Sequence, residues 1–192
     1  SSFLQVTSIK FIKSYKLCFL INLMRFPTHA AAAGLFALAL AKAGIVSVTA
    51  HGYLLFALFG SILPDIDNHN SKIGRKLPGF SRVAEFLLGH RGLYHSLLGC
   101  AVTLFLFFLV FRAFSISGTN CYLAAIAIGF LSHLVMDTLT TKGIHWFRPF
   151  YKLWIRGPFD TGSWVDTAFT ISFLILIGAV AKGMGFSVLK LV

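Results

Sequence analysis

Acidic residues are scarce in this sequence, which has six Asp and Glu among 192 residues. Charged residues of both signs make up 12% of the chain and hydrophobic residues 57%, whereas soluble globular domains usually have about 25% charged residues. This shortage argues against a water-exposed surface of the ordinary kind, and long apolar runs account for it. At this length we expect one helical domain whose outer surface contacts lipid.

Cysteine is also sparse, and the three cysteines, Cys18, Cys100 and Cys121, form no C-x-x-C pair. Each lies in an apolar stretch, which is typical of a small buried side chain. The pattern argues against a disulfide framework and against a thiolate metal site. The sequence also contains no internal repeat and no low-complexity segment.

Basic residues are abundant, with 17 Lys and Arg and a net charge of +11. In a soluble protein this excess would suggest nucleic acid, but in membrane proteins Lys and Arg accumulate in cytoplasmic loops. The N-terminal segment and the stretches 66–94 and 140–164 are basic, whereas the connections 49–51 and 115–120 have no Lys or Arg. We therefore predict a multi-pass protein with these basic segments in the cytoplasm and membrane lipid as a partner. Nucleic acid is not expected, because no base-stacking platform is visible.

Five apolar runs predict an all-α, polytopic membrane helical bundle of about four to five transmembrane helices. They cover residues 29–48, 52–63, 95–114, 121–139 and 165–181. The second run is short for a crossing of about 20 residues; it could be tilted, packed inside the bundle or partly re-entrant. Thr28 is expected to N-cap the first helix. We divide the chain into a basic, apolar extension (1–23), which could form an interfacial helix, and a membrane-embedded domain (24–192).

Most histidines and aspartates lie at the ends of these runs, all on the side assigned to the cytoplasm. A carboxylate in apolar surroundings costs at least about 2.5–3.5 kcal/mol, so such residues usually face a cavity and have a function. A divalent cation would pair with carboxylates and imidazoles together and remove their mutual repulsion. The residues that converge in this way are His29, Asp65, Asp67, His90, His95, His133, Asp137 and Asp166.

The local spacing of these residues favours a metal site. His133 and Asp137 are four positions apart, which places both on one face of a helix. Mixed His and Asp ligation suits zinc, with manganese or iron as alternatives. The predicted ligands are His29, Asp65, His90, His95, His133 and Asp137. Each residue alone has an ordinary explanation, such as a turn or an interfacial histidine, and the prediction depends on their conjunction. Arg91 could hold an anionic substrate oxygen or could simply belong to the basic cytoplasmic loop.

Three segments in order resemble a known family. They are Leu63-Pro64-Asp65-Ile66-Asp67, the stretch from Gly89-His90-Arg91-Gly92 to His95-Ser96-Leu97-Leu98, and the stretch from Gly129 through His133 and Asp137 to Thr140. Together they resemble the YdjM-type family of inner-membrane proteins, described as predicted metal-dependent hydrolases, over about residues 25–170. The family tends to carry a glutamate after a Thr-Gly pair, whereas this chain has Asp166, whose reach is shorter.

The resemblance implies a membrane-bound, metal-dependent hydrolase of the inner membrane. The His and Asp pattern is also similar to zinc-dependent phospholipases C and single-strand nucleases, which implies one to three ions and a phosphoester substrate, either a lipid or a small molecule. A metal-activated water would then be the nucleophile, with Asp67 or Asp166 as general base. Two alternatives are a metal-binding transporter or permease and a membrane protein with a purely structural metal. The sequence makes no prediction about oligomeric state.

Overall fold

The computed structural model describes residues 26–46, 52–67, 94–160 and 162–183. Five α-helices and one 3-10 helix account for most of these residues, which confirms the all-α class. The helices are α1 (26–42), α2 (Tyr53–Gly60), the 3-10 helix (Leu63–Asp67), α3 (Leu97–Ala113), α4 (Thr119–Thr138) and α5 (Trp164–Gly183). Two short antiparallel strands, β1 (Ile144–His145) and β2 (Trp154–Ile155), form a hairpin that the sequence patterns did not predict. The extension 1–23 lies outside the described residues.

Two helices, α4 and α5, are long and apolar enough to cross a membrane. Each has 20 residues, with mean hydropathies of 1.5 and 1.9, and a 20-residue helix is about 30 Å long. Helix α5 has no buried residue, and Ile175 is 67% exposed. So large an apolar surface suits contact with lipid and would be a liability in water. Helices α2 and α3 are apolar but shorter, and the number of crossings stays a prediction.

Glycines allow α2 and α4 to pack with their backbones in contact. A Cβ on Gly129 would collide with the Ala57 carbonyl oxygen, and one on Gly60 with the Ile126 carbonyl oxygen. Small residues at a crossing permit this close approach between membrane helices. The second apolar run therefore packs closely on α4 along one side, while Leu55 on another side is 52% exposed.

Helix α4 lies at the centre of the described bundle, and its neighbours fix the helix directions. Against α3 it is antiparallel: Phe111 contacts Tyr122 with ring centroids 6.0 Å apart, and Tyr94 contacts Phe130 at 5.8 Å. Against α2 it is parallel: Phe56 contacts Tyr122 in the first half of each helix, and Ser61, just after α2, contacts His133 near the end of α4. The beginning of α3 and the ends of α2 and α4 therefore meet on one side.

The expectation that Thr28 caps α1 is wrong, because the chain is already helical at Phe26. Pro27 is compatible with this course, since proline is tolerated in the first turn of a helix. The Thr28 hydroxyl instead donates a 2.6 Å hydrogen bond to the Asp166 carboxylate. Thr28 and Thr170 are also in contact, and Gly34 lies against Ile177, so α1 and α5 run side by side in the same direction.

The β hairpin closes over the end of α4. Gly157 donates its backbone N–H to the Thr140 carbonyl oxygen at 3.0 Å, and Phe159 donates to the Leu139 carbonyl oxygen at 3.2 Å. The segment after β2 thereby satisfies the carbonyl of Leu139, the C-cap of α4, which the end of a helix otherwise leaves without a partner.

Candidate metal centre

Five of the sequence-predicted site residues come together at the joined helix ends. His29 lies near the start of α1, Asp65 in the 3-10 helix, His95 just before α3, and His133 and Asp137 in the last turns of α4. Four separate elements thus contribute to one cluster. Its inner members are shielded from solvent, since the side chains of His95, His133 and Asp137 are 0%, 1% and 3% exposed.

The Asp137 carboxylate is the centre of this cluster. Its Oδ1 lies 3.7 Å from the His29 Nε2, and its Oδ2 lies 3.6 Å from the His133 Nε2 and 3.8 Å from the His95 Nε2. The Asp65 Oδ1 is 4.0 Å from the His133 Nε2. These separations exceed the 2.7–3.2 Å usual for N–H···O hydrogen bonds. Three histidines therefore surround Asp137, and Asp65 lies on His133, at distances that suit a shared ion.

A backbone carbonyl fixes the orientation of His133. The His133 Nδ1 lies 2.7 Å from the carbonyl oxygen of Ser61, and because a carbonyl only accepts, Nδ1 is the donor. In the neutral ring, Nε2 then carries the lone pair, and this atom faces the carboxylates of Asp65 and Asp137. Metal-binding histidines usually have their second nitrogen anchored in this way. The His29 ring stacks on His133, with centroids 4.0 Å apart.

Local structure also holds His95 in place. Ser96 N-caps α3, and its side chain accepts a 3.2 Å hydrogen bond from the Gly99 backbone N–H. Gly99 packs so closely on Tyr94 that a Cβ there would collide with the Tyr94 carbonyl. His95, between Tyr94 and the cap, is therefore fixed by the first turn of α3.

The donor set fits a divalent ion. Among the described residues, two groups offer ligand atoms within 4.8 Å of one another: His29, His133 and Asp137, and Asp65, His95 and His133. Ligands at about 2.0–2.1 Å from zinc can be at most about 4.2 Å apart. The four distances given above between imidazole nitrogens and carboxylate oxygens, 3.6–4.0 Å, are within that limit. Because Ser61 engages the His133 Nδ1, only Nε2 can bind, so His133 can serve one of the two groups at a time.

Asp166 lies beside this cluster rather than in either group. Its Oδ1 accepts a hydrogen bond from Thr28, its Oδ2 accepts one from the Gly162 backbone N–H at 3.2 Å, and Thr170 bonds the Thr28 hydroxyl at 2.7 Å. Asp166 and His29 line the same cavity of about 30 Å³, which is large enough for a water molecule. Sequence reasoning missed the roles of Thr28 and Ser61; the position of Thr28 next to His29 was the only signal.

Three predicted site residues are not placed. His90 and Arg91 lie outside the described residues, and of Asp67 only the backbone is described, at the end of the 3-10 helix.

The fold and the cluster define a helical membrane protein with a buried group of histidines and aspartates that could bind a metal ion. The chain belongs to the family described as YdjM inner membrane protein, which matches it over residues 24–192. This membership confirms the resemblance drawn from the three sequence segments.

Individual relatives match a smaller part of the chain. The uncharacterized protein YvsG of Bacillus subtilis (strain 168) is 36% identical over 115 residues, which are 55% of this chain and 68% of that protein. The inner membrane proteins YdjM of Escherichia coli (strain K12) and Shigella flexneri are each 36% identical over 89 residues, 46% of this chain. The match spans 44% of the length of each YdjM relative. No solved structure matches the chain significantly.

Proposed function

We propose that this protein is a membrane-bound, metal-dependent hydrolase that cleaves a phosphoester, with a lipid as the favoured substrate. One observation carries the proposal: the imidazole Nε2 atoms of three histidines from three elements lie within 3.8 Å of the buried Asp137 carboxylate. Ionisable groups are rarely gathered in an apolar bundle without a function, and hydrolysis is what the family resemblance implies.

The metal would be held by the described cluster, with His90 as a further predicted ligand. The two oxygens of Asp137 face different histidines, which would allow more than one ion, and we propose one to three. Zinc suits the donors best, with manganese or iron as alternatives. A bound ion would supply a Lewis acid that activates water near neutral pH.

The remaining chemistry would fall to residues around the cluster. Asp166 is oriented by Thr28 and Gly162 and lines a water-sized cavity beside His29. A carboxylate in this position can accept a proton from an attacking water, as a general base does. Asp67 is the alternative base, and Arg91 would bind a substrate oxygen.

The membrane arrangement supports a lipid substrate. Helices α1 and α5 run parallel, α4 runs against α3, and the site-bearing ends of α1, α3 and α4 meet. In the sequence, the basic segments adjoin these site-bearing ends, and we assign this side to the cytoplasm of a multi-pass inner-membrane protein. The cluster would then lie near the lipid headgroups, where the phosphoesters of lipids are.

Loss of lipid hydrolysis in variants of the cluster tests the proposal. The parent protein, His133→Ala, Asp137→Ala and the control His145→Ala would be incubated with phospholipid vesicles, and the products followed by phosphorus NMR. The parent and His145→Ala should release product, and the two cluster variants should not. Full activity in both cluster variants would contradict the assignment, as would a parent protein without turnover of any phospholipid.

A structural metal is the second candidate, because four elements of the described fold meet at the cluster. It predicts that metal removal lowers the melting temperature of a protein that has no turnover to lose. The transporter alternative has less support, since the cluster lies at one end of the described helices.

A further inference from the structure

An apolar groove of about 480 Å³ lies beside the metal centre, between the start of α3 and the loop of the β hairpin. Leu97 and Leu98 form one wall, and residues 146–148, 150 and 151 form the other. Arg148 is the one charged side chain among the lining residues. A groove with these properties can accommodate an apolar chain that carries an anionic group.

Hydrogen bonds connect the walls of the groove to residues next to the candidate metal ligands. Leu97, which is two residues after His95, donates its backbone N–H to the Trp146 carbonyl oxygen at 2.9 Å. The Trp146 indole donates a 2.8 Å hydrogen bond to Thr138, the neighbour of Asp137. A molecule in the groove would therefore lie one layer of side chains away from the cluster.

The hairpin around the groove has the composition of a membrane-interface segment. Phe150 is 84% exposed and Tyr151 is 65% exposed. Lys152 is also exposed, and the Arg156 guanidinium lies 4.8 Å from the ring centroid of Trp154. Aromatic residues with polar edges are enriched at the level of lipid headgroups, and basic residues attract anionic headgroups. Residues 141–159 contain four Lys and Arg and no acidic residue.

Charge also distinguishes between occupants of the groove. Residues 1–25 contain four Lys and Arg and no acidic residue, and residues 68–93 contain five and one. Both segments of the chain itself would be repelled by Arg148 and its basic neighbours. An anionic phospholipid complements the charge of Arg148 and its neighbours, with its acyl chain on the apolar walls and its phosphate near Arg148.

We propose that this groove binds an anionic phospholipid, with Arg148 selecting the anionic headgroup. The idea that the groove docks a substrate rests on the proposed function, but lipid binding itself requires no hydrolysis. It specifies the substrate class as a phospholipid with a net negative charge.

Quenching of Trp146 fluorescence tests the proposal directly. Trp154→Phe and Trp164→Phe together leave Trp146 as the only tryptophan of the three in the chain. The purified full chain in detergent, with a chelator present to prevent turnover, would be titrated with phosphatidylglycerol or phosphatidylcholine brominated on the acyl chain. Bromine quenches indole fluorescence only at short range, so quenching reports a lipid chain in the groove.

We expect phosphatidylglycerol to quench at a roughly fivefold lower concentration than phosphatidylcholine, because one basic residue near an anionic headgroup contributes about 1 kcal/mol. Arg148→Gln should abolish this preference and Arg148→Lys should keep it. Arg112→Gln, at the far end of α3, should keep it too. Equal quenching by both lipids, no quenching by either, or an unchanged preference in Arg148→Gln would overturn the proposal.

The outcome is separable from that of the proposed function. A preference for phosphatidylglycerol in a protein without turnover would contradict the proposed hydrolase activity and support the lipid-binding groove. Turnover without a preference for phosphatidylglycerol would contradict only the proposed lipid binding in this groove. Circular dichroism of each variant checks that the fold is intact. If Arg148→Gln fails to fold, the comparison of the two lipids on the parent protein still tests the proposal, since equal quenching would overturn it.

Discussion

The His133 imidazole donates a 2.7 Å hydrogen bond to the carbonyl oxygen of Ser61, which lies 72 residues earlier in the chain. This bond joins the end of α2 to the candidate metal centre and determines which nitrogen of His133 faces Asp137. The position of α2 therefore controls the ligand geometry, and the glycine contacts between α2 and α4 control the position of α2.

Gly129→Ala should disturb both stability and metal binding. The added methyl group would collide with the backbone of Ala57 and Ser61 and push α2 away from α4. Overpacking of this kind costs about 1–3 kcal/mol, and the loss of the Ser61 anchor should weaken metal binding about 10- to 100-fold. Thermal unfolding in detergent and titration with zinc would measure the two effects.

Gly178→Ala is the matched control for that substitution. Gly178 lies in α5, and a Cβ there would meet no atom within 4 Å. Alanine should be neutral or slightly stabilising at this position. Equal effects of the two substitutions would show that the close packing of α2 on α4 does not determine metal affinity at the candidate metal centre.

Metal content should depend on His133 and Asp137 but not on every histidine. Removing a residue that merely orients a metal ligand lowers metal affinity roughly 10- to 100-fold. Replacing either proposed ligand by alanine should lower the metal affinity further than that. His145→Ala should retain the metal, because His145 lies in β1 and belongs to neither ligand group. Elemental mass spectrometry of the purified proteins would measure this. A wild-type protein without tightly bound metal would contradict the prediction.

Asp166→Asn should separate turnover from metal binding. Asparagine still accepts the hydrogen bond from Thr28 but is a poor proton acceptor, so the metal content should stay while hydrolysis falls by about 10²- to 10⁴-fold. Thr170→Val is the control, since Thr170 contacts Thr28 and the Asp166 backbone but not the carboxylate in the described bonds. Hydrolysis at wild-type rate in Asp166→Asn would assign the base to another residue.

Cysteine labelling should reveal the orientation in the membrane. In a variant without Cys18, Cys100 and Cys121, single cysteines would replace Ser117, between α3 and α4, or Lys142, beside the metal centre. Both positions are exposed. A membrane-impermeant thiol reagent should label the Ser117→Cys protein in intact spheroplasts and the Lys142→Cys protein only after permeabilisation. The reverse pattern would place the centre on the periplasmic side.

The apolar runs predicted the long helices well, since the run at 121–139 became Thr119–Thr138 and the run at 165–181 became Trp164–Gly183. The four-residue spacing of His133 and Asp137 likewise predicted that both would face one site. The Ser61 contact was invisible because a backbone carbonyl leaves no mark in the sequence. The hairpin was missed because its strands have two residues each, too few to show an alternating pattern.

Helix α5 buries none of its residues, and its polar contacts with α1 in the described structure gather at its first two turns, around Thr28, Asp166 and Thr170. Lipid has no fixed shape to match, so the middle of α5 can exchange one apolar side chain for another at little cost. Only its length and apolar character have to be maintained there. The tolerance of α5 to substitution should therefore be strict at Asp166 and permissive at the exposed positions farther along the helix, such as Ile171 and Ile175.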